Sequence, residues 1–181
     1  MAHPTEPKAL TSLKVSSYQI PAHRLIPNTS IQNKPLLIYH SCFPISANAA
    51  SIESHLMSQG VVKPQWRYTM YSTTHFHSTT HEVLCISQGS ATLLFGGEDN
   101  PGSIEARVQK GDAVVVPAGV GHRLLHEEQG TFEMVGAYPV GSEKWDMCYG
   151  KKGEEKAVDG ITKLEWFARD PIYGKEGPVL S

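Results

Sequence analysis

His75 and His77 stand one residue apart, Glu82 follows five positions later, and His122 comes forty residues further along the chain. Three imidazoles and one carboxylate of this kind can converge on a single metal ion. In an extended segment, residues i and i+2 face the same side, so His75 and His77 project together while Phe76 turns away. The stretch Ser78 to His81 is long enough for a turn or bulge that returns Glu82 to the same face. Pro117-Ala118-Gly119-Val120-Gly121 is a tight turn immediately before His122, which it can deliver from a neighbouring strand.

Three nitrogens and one oxygen suit Fe(II), Mn(II), Ni(II), Co(II), Cu(II) or Zn(II), and the donor set does not choose among them. A four-ligand site leaves coordination positions open. There a water or substrate oxygen is polarised, and with iron, copper or manganese O2 chemistry is accessible. A structural zinc site would instead be closed and rich in cysteine.

The elements that must carry these residues are short strands. From Trp66 to Tyr138, β-branched, aromatic and aliphatic runs alternate with the turns GGEDNPG, KGD, PAGVG and EEQG, the pattern of a β-sandwich or barrel. VLCIS and AVVVP are apolar at successive positions, so both faces of these strands are expected to be covered, by the N-terminal arm or by another subunit. Residues 1–35 are rich in Pro, Ser, Thr and Asn and read as an irregular arm. LLIY (Leu36 to Tyr39) reads as a strand, and ANAASIESHLMSQG as a helix that Gly60 closes. KKGEEKAVDG is expected to be a solvated loop, and ITKLEWFARDPIYG a short helix stopped near Pro171. The division is thus an arm (1–35), a barrel domain (36–150) and a tail packed on the barrel (151–181), together one domain.

With 181 residues, 40% of them hydrophobic, and a formal net charge of -2, the chain can bury a sizeable core and carries no basic footprint for nucleic acid or an anionic membrane. The three cysteines, Cys42, Cys85 and Cys148, are widely spaced and form no C-x-x-C pair, which fits a reducing compartment. MAHPTEPKALTSLKV lacks the apolar run of a signal peptide, and no later stretch reaches membrane-span length, so a soluble, cytoplasmic protein is expected.

The chain resembles the cupins, whose RmlC-like jelly roll is built around two motifs. The first, G-x5-H-x-H-x3,4-E-x6-G, is matched by His75, His77, Glu82 and Gly89, and the second, G-x5-P-x-G-x2-H-x3-N, by Gly111, Pro117, Gly119 and His122. Thr69 replaces the opening glycine and His126 the closing asparagine, and neither position holds metal in the family. LLIYHSC, HSTTHEVL, VGAYPVG and WDMCYG are similar to a subgroup of small single-domain cupins of the YjlB-like type. The resemblance implies an all-β jelly-roll barrel (double-stranded β-helix) with a short N-terminal helix, and one divalent transition metal held by His75, His77, Glu82 and His122.

Counting in twos from His75 places Thr73, Tyr71, Thr69 and Arg67 inside the barrel, and from His122 it places Leu124 and His126 inside. Tyr71 and His126 are therefore the candidate acid/base or substrate-orienting groups. Phe132, Met134 and Tyr138 are expected in the pocket wall, and His81 should point away from the metal. The function expected is that of a metalloenzyme acting on a small, oxygen-rich organic molecule. Its chemistry is either dioxygenase-type oxidation or redox-neutral decarboxylation, isomerisation or cyclisation. The alternatives are a non-catalytic, metal-containing binding cupin and an accessory protein to a biosynthetic enzyme. A homodimer without nucleic-acid or membrane partners is expected.

Overall fold

The structure, a computed structural model, describes residues 4–181. Seven strands carry it: β1 (Lys14–Tyr18), β2 (Leu36–His40), β3 (Val62–Tyr68), β4 (Glu82–Phe95), β5 (Ile104–Gln109), β6 (Ala113–Val116) and β7 (His122–Pro139), with helices α1 (Ala49–Gln59) and α2 (Glu155–Gly160). All pairings are antiparallel, in the order β1-β2-β6-β4-β7-β3 with β5 on β4. Among the described residues the ladder does not close on itself, and its edges are β1, β3 and β5.

Closure is achieved instead by bending. Phe95, at the end of β4, pairs with His122, yet the His122 side chain meets Glu82 at the start of β4, with Nε2 3.3 Å from Oε2. A straight strand would hold positions thirteen residues apart about 43 Å from each other. The register of β4 against β7 shifts between Ile86 and Gln88, Gln88 and Ser90, Ser90 and Ala91, and Thr92 and Leu93. Bulges of this kind bend a strand, and here they roll the β4–β7 pair so that its two ends face one another. This is the all-β jelly roll expected from the sequence.

The alternation of side chains sorts two hydrophobic layers. Leu36, Ile38, Leu84, Ile86, Val114, Val116 and Met134 turn into the barrel. Leu37, Tyr39, Val83, Cys85, Val115, Val135 and Ala137 turn outward, and they are nonetheless buried. Ile52 and Leu56 of α1 cover them together with Phe167, Ile172 and Val179 of the C-terminal tail. The successive apolar positions thus have two covered faces, and the outer cover is α1 and the tail, with Leu13 of the arm at its margin. α1 forms where the sequence places it: the Asn48 side chain accepts from Ser51 N–H in a capping box, and Gly60 ends it at φ 68.

Two segments differ from expectation. The arm is irregular over most of its length, but Lys14–Tyr18 joins the sheet as β1 along β2. In the tail, the helix falls on Glu155–Gly160, within the expected loop, while only Ile161–Lys163 of the expected helix is helical, as one 3₁₀ turn. Tertiary contacts stop it there. The Gln32 side-chain amide donates to Ile161 O and Leu164 O, carbonyls that a continued helix would use, and Trp166 and Phe167 both turn their rings onto His81. No described helix is long and apolar enough to cross a membrane.

Candidate metal centre

His75 and His77 lie on an extended segment secured by two isolated antiparallel bridges, His75 to His122 and Phe76 to Cys148. The first places two of the imidazoles opposite one another, with His75 N–H donating to His122 O and His122 N–H donating to His75 O. The second draws residues 145–148 alongside, while Phe76 points into the core and is fully buried. Gly119, at φ +92, makes the turn before His122, a conformation that disfavours side chains with a Cβ. Glu82 opens β4 on the same inward side as Leu84 and Ile86. The ligand atoms of His75, His77 and His122 all lie within 4.8 Å of one another. Glu82 approaches with Oε1 3.3 Å from His77 Nε2 and Oε2 3.3 Å from His122 Nε2.

The hydrogen bonds behind this cluster determine what its atoms can do. Each Nδ1 faces a backbone carbonyl: Thr73 O for His75, Asp146 O for His77 and Val120 O for His122. A carbonyl only accepts, so each Nδ1 carries the proton and the neutral ring keeps its lone pair on Nε2. Asp146 is itself anchored, accepting from Ser78 N–H and from the Ser78 hydroxyl. Glu82 Oε1 accepts from the Tyr138 hydroxyl at 2.8 Å, and that hydroxyl accepts from Trp66 Nε1 at 2.8 Å. Glu82 Oε2 is buried and has no hydrogen-bond partner.

Burial alone would raise the Glu82 pKa, but His77 and His122 hold it well below the carboxylate range. Burial would lower that of His77, and the Glu82 carboxylate outweighs it and raises it. Burial and then the neighbouring His122 take His75 down to about 3. In place of the proton that Glu82 favours on His77, a divalent transition cation would take the Nε2 lone pairs of three rings whose Nδ1 atoms are committed to carbonyls, with the buried carboxylate beside them.

A cavity of about 240 Å³ opens over the cluster. Tyr71 lines it, half-exposed, with its ring edge-on to His75 at 5.6 Å between centroids. Arg67 and Thr69 also line it, but Arg67 is bound to Glu53 on α1 and the Thr69 hydroxyl donates to Glu127. Met134 and Tyr138 form wall, whereas Phe132 is buried outside the lining.

His126 is not in the cavity, and its expected inward position is corrected by the structure. Its side chain is 64% exposed, with Nε2 3.8 Å from Glu128. Leu124 pairs with Leu93 and His126 with Thr92, so Leu125 is an extra residue in β7 and the count in twos changes parity across it.

Trp66, Tyr68, Met70, Trp145 and Met147 line the cavity but escape a count made from the ligands, as does the part of Tyr138, expected in the wall, as a donor to Glu82. The signal for Trp66, Tyr68 and Trp145 was the aromatic content of WDMCYG and of β3. Trp66 reaches the Tyr138 hydroxyl only because Gly136 leaves room, since a Cβ at 136 would lie 2.1 Å from the indole ring. Gly136→Ala is therefore expected to displace Trp66 and destabilise the protein by about 1–3 kcal/mol. Urea unfolding checks this, and an unchanged midpoint would contradict it.

His81 points away from the cluster, as its position in sequence implies. Its Nδ1 accepts from Ala118 N–H, and its Nε2–H donates to Glu165 O. Burial takes its pKa from 6.5 down to about 4. Between these values the unfolded chain holds the extra proton, so stability rises with pH across that window. The contribution is complete above about pH 6.5 and is lost progressively toward pH 4, in all about 3 kcal/mol. In metal-free protein, His81→Gln is expected to flatten that part of the stability profile. Equal slopes in urea unfolding at pH 5 and 7 for both proteins would refute it.

Fold and centre together define a small jelly-roll protein with a buried histidine–carboxylate cluster under an apolar cavity. A Cupin domain family model matches residues 68–138. The uncharacterized protein YjlB of Bacillus subtilis (strain 168) is 34% identical over 168 residues, covering 92% of this chain and 95% of that protein. The chain belongs to the cupin family. Solved structures similar to it include procruciferin, an 11S globulin from Brassica napus (12% identity, TM-score 0.35, 75% of this chain), and vicilin from Solanum lycopersicum (12%, 0.40, 75%). The chain spans 26% and 36% of their respective lengths.

Proposed function

We propose that the protein is a metal-dependent enzyme acting on a small organic molecule in the cavity over His75, His77, Glu82 and His122. One observation carries this reading: the fully buried Glu82 carboxylate, each oxygen 3.3 Å from an imidazole Nε2, in a cluster of three histidines whose Nδ1 atoms are all committed to backbone carbonyls. An anionic oxygen in that setting is costly without a cation. A divalent transition ion held by these four residues supplies Lewis acidity and, if redox-active, electron transfer.

The chain's own groups prepare the site. Trp66 and Tyr138 hold the carboxylate in place, and burial and then Glu82 push the Tyr138 pKa far up, so the phenol keeps its proton and stays a donor. Tyr71, at the mouth, is placed to orient a ligand or exchange a proton with it.

The reading covers O2-dependent oxidation and redox-neutral decarboxylation, isomerisation or cyclisation. The test is conversion of a panel of small organic molecules, followed by mass spectrometry and an oxygen electrode. Conversion abolished by chelation and restored by added metal is expected, and oxygen uptake separates the two chemistries. Binding without conversion would sink the enzyme reading and leave a binding cupin. That second reading has support in the position of His126: apart from the four candidate ligands, the ionisable groups lining the cavity are Arg67, Tyr68, Tyr71 and Tyr138.

A further inference from the structure

The walls of the cavity say which class of molecule it takes, an inference that rests on reading the cavity as a ligand site. Trp145 and Tyr138 stack at 6.3 Å with 19° between their planes, and Trp145 also stands edge-on to His77 at 5.8 Å. Met70, Met134 and Met147 add polarizable thioethers that adapt to an aromatic face. Tyr68 and Tyr71 flank each other at the rim, 5.7 Å between centroids, and both are half-exposed.

Polar groups are correspondingly few. No Ser, Asn, Gln, Asp or Lys is among the described residues that line the cavity. The Arg67 fork is engaged by both carboxylate oxygens of Glu53, and the Thr69 hydroxyl is turned to Glu127. A sugar or polyhydroxy acid would exchange its water shell for walls that offer its many hydroxyls little beyond the rim phenols of Tyr68 and Tyr71. A planar ring meets aromatic faces and sulfur instead. The volume sets the size: an apolar cavity of about 150 Å³ holds benzene, so about 240 Å³ takes a ring with substituents or two fused rings.

We infer that the ligand is a one- or two-ring planar, mostly apolar molecule whose single oxygen substituent turns toward Glu82 and the histidines, and that Trp145 determines this preference. The walls thus favour a different chemistry from the oxygen-rich molecule expected from the sequence. Trp145 holds its place because Asp146, the next residue, is bonded to His77 and Ser78.

The test is saturation-transfer NMR with phenol, 2-naphthol, cyclohexanol and ribose, offered to zinc-loaded and to chelator-treated protein, with zinc uptake measured separately. Phenol and 2-naphthol are expected to bind and compete with each other, cyclohexanol to bind more weakly, and ribose not to bind. Trp145→Ala should weaken 2-naphthol about tenfold or more, while Trp145→Phe, which keeps a ring and spares the Asp146 loop, should retain most of the affinity. His126→Ala, on the outer surface, should change nothing. Ribose binding as well as phenol, or an unchanged affinity in Trp145→Ala, would overturn the inference. Absence of zinc uptake with ring binding intact would overturn the metal reading alone and leave the ring site standing.

Discussion

Metal-free wild-type protein is expected to take up about one divalent ion per chain, and the His77→Ala/Glu82→Ala double variant less than about a tenth of that. The expectation follows from where the donors are. His77 and Glu82 provide a nitrogen and a carboxylate that approach within 3.3 Å of each other in a site only 5% and 2% exposed. Removing both leaves two imidazoles, too few to hold an ion against water.

The same experiment has a stability readout. Metal that binds only the folded chain stabilises it by about 4 kcal/mol when free ion stands a thousandfold above Kd, so wild-type unfolding should shift with added metal and the variant should not. The variant itself is expected to fold, because it deletes a buried charge together with its partner rather than leaving one orphaned. Circular dichroism distinguishes a folded, metal-free variant from an unfolded one. Plasma mass spectrometry that found stoichiometric metal in the folded double variant would refute the assignment of these ligands.

The second large effect lies away from the centre. Asp170 is fully buried, and its carboxylate accepts from the Tyr39 hydroxyl at 2.6 Å, from the Ile172 and Tyr173 amides, and from Val179 N–H. It ties the C-terminal tail to β2, and the tail covers the outward face of the strands that begin at Glu82 and end past Tyr138. Burial and then the Asp170 charge push the Tyr39 pKa far up, so the phenol remains a donor to it. Asp170→Ala strands these donors without an acceptor, and a cost of about 4 kcal/mol is expected. Asp170→Asn keeps the shape and one acceptor and should lose less. Urea unfolding gives the difference, and limited proteolysis should cut the tail of Asp170→Ala faster than that of the wild type. A loss below about 1 kcal/mol would show that the tail is held by its apolar contacts alone.

What the sequence by itself determined is local. The alternation of His75 and His77, the five-residue step to Glu82 and the turn at Gly119 before His122 each span only a few residues; that the two groups, forty positions apart, share one site was implied by the resemblance to cupins. The helix at Ala49–Gln59 was legible for the same reason, since its capping residues and Gly60 act on their own neighbours. Where a bulge interrupts the period, the count fails, and His126 is on the outer surface because Leu125 is an extra residue. The tail failed differently: Ile161 to Phe167 has helix-forming residues, but Gln32 and His81 compete for its carbonyls and rings.

Only the tertiary structure decided the chemistry around the donors. That Tyr138 donates to Glu82 and that Trp66 fits over Gly136 depends on residues far apart in sequence, 56 positions in the first case. No short-range pattern encodes such contacts, because they exist only once the strands have been rolled together by their bulges. The histidine cluster was therefore legible from spacing and from the resemblance to cupins, whereas the apolar character of the cavity and the burial of Glu82 against Tyr138 arise from packing between distant strands.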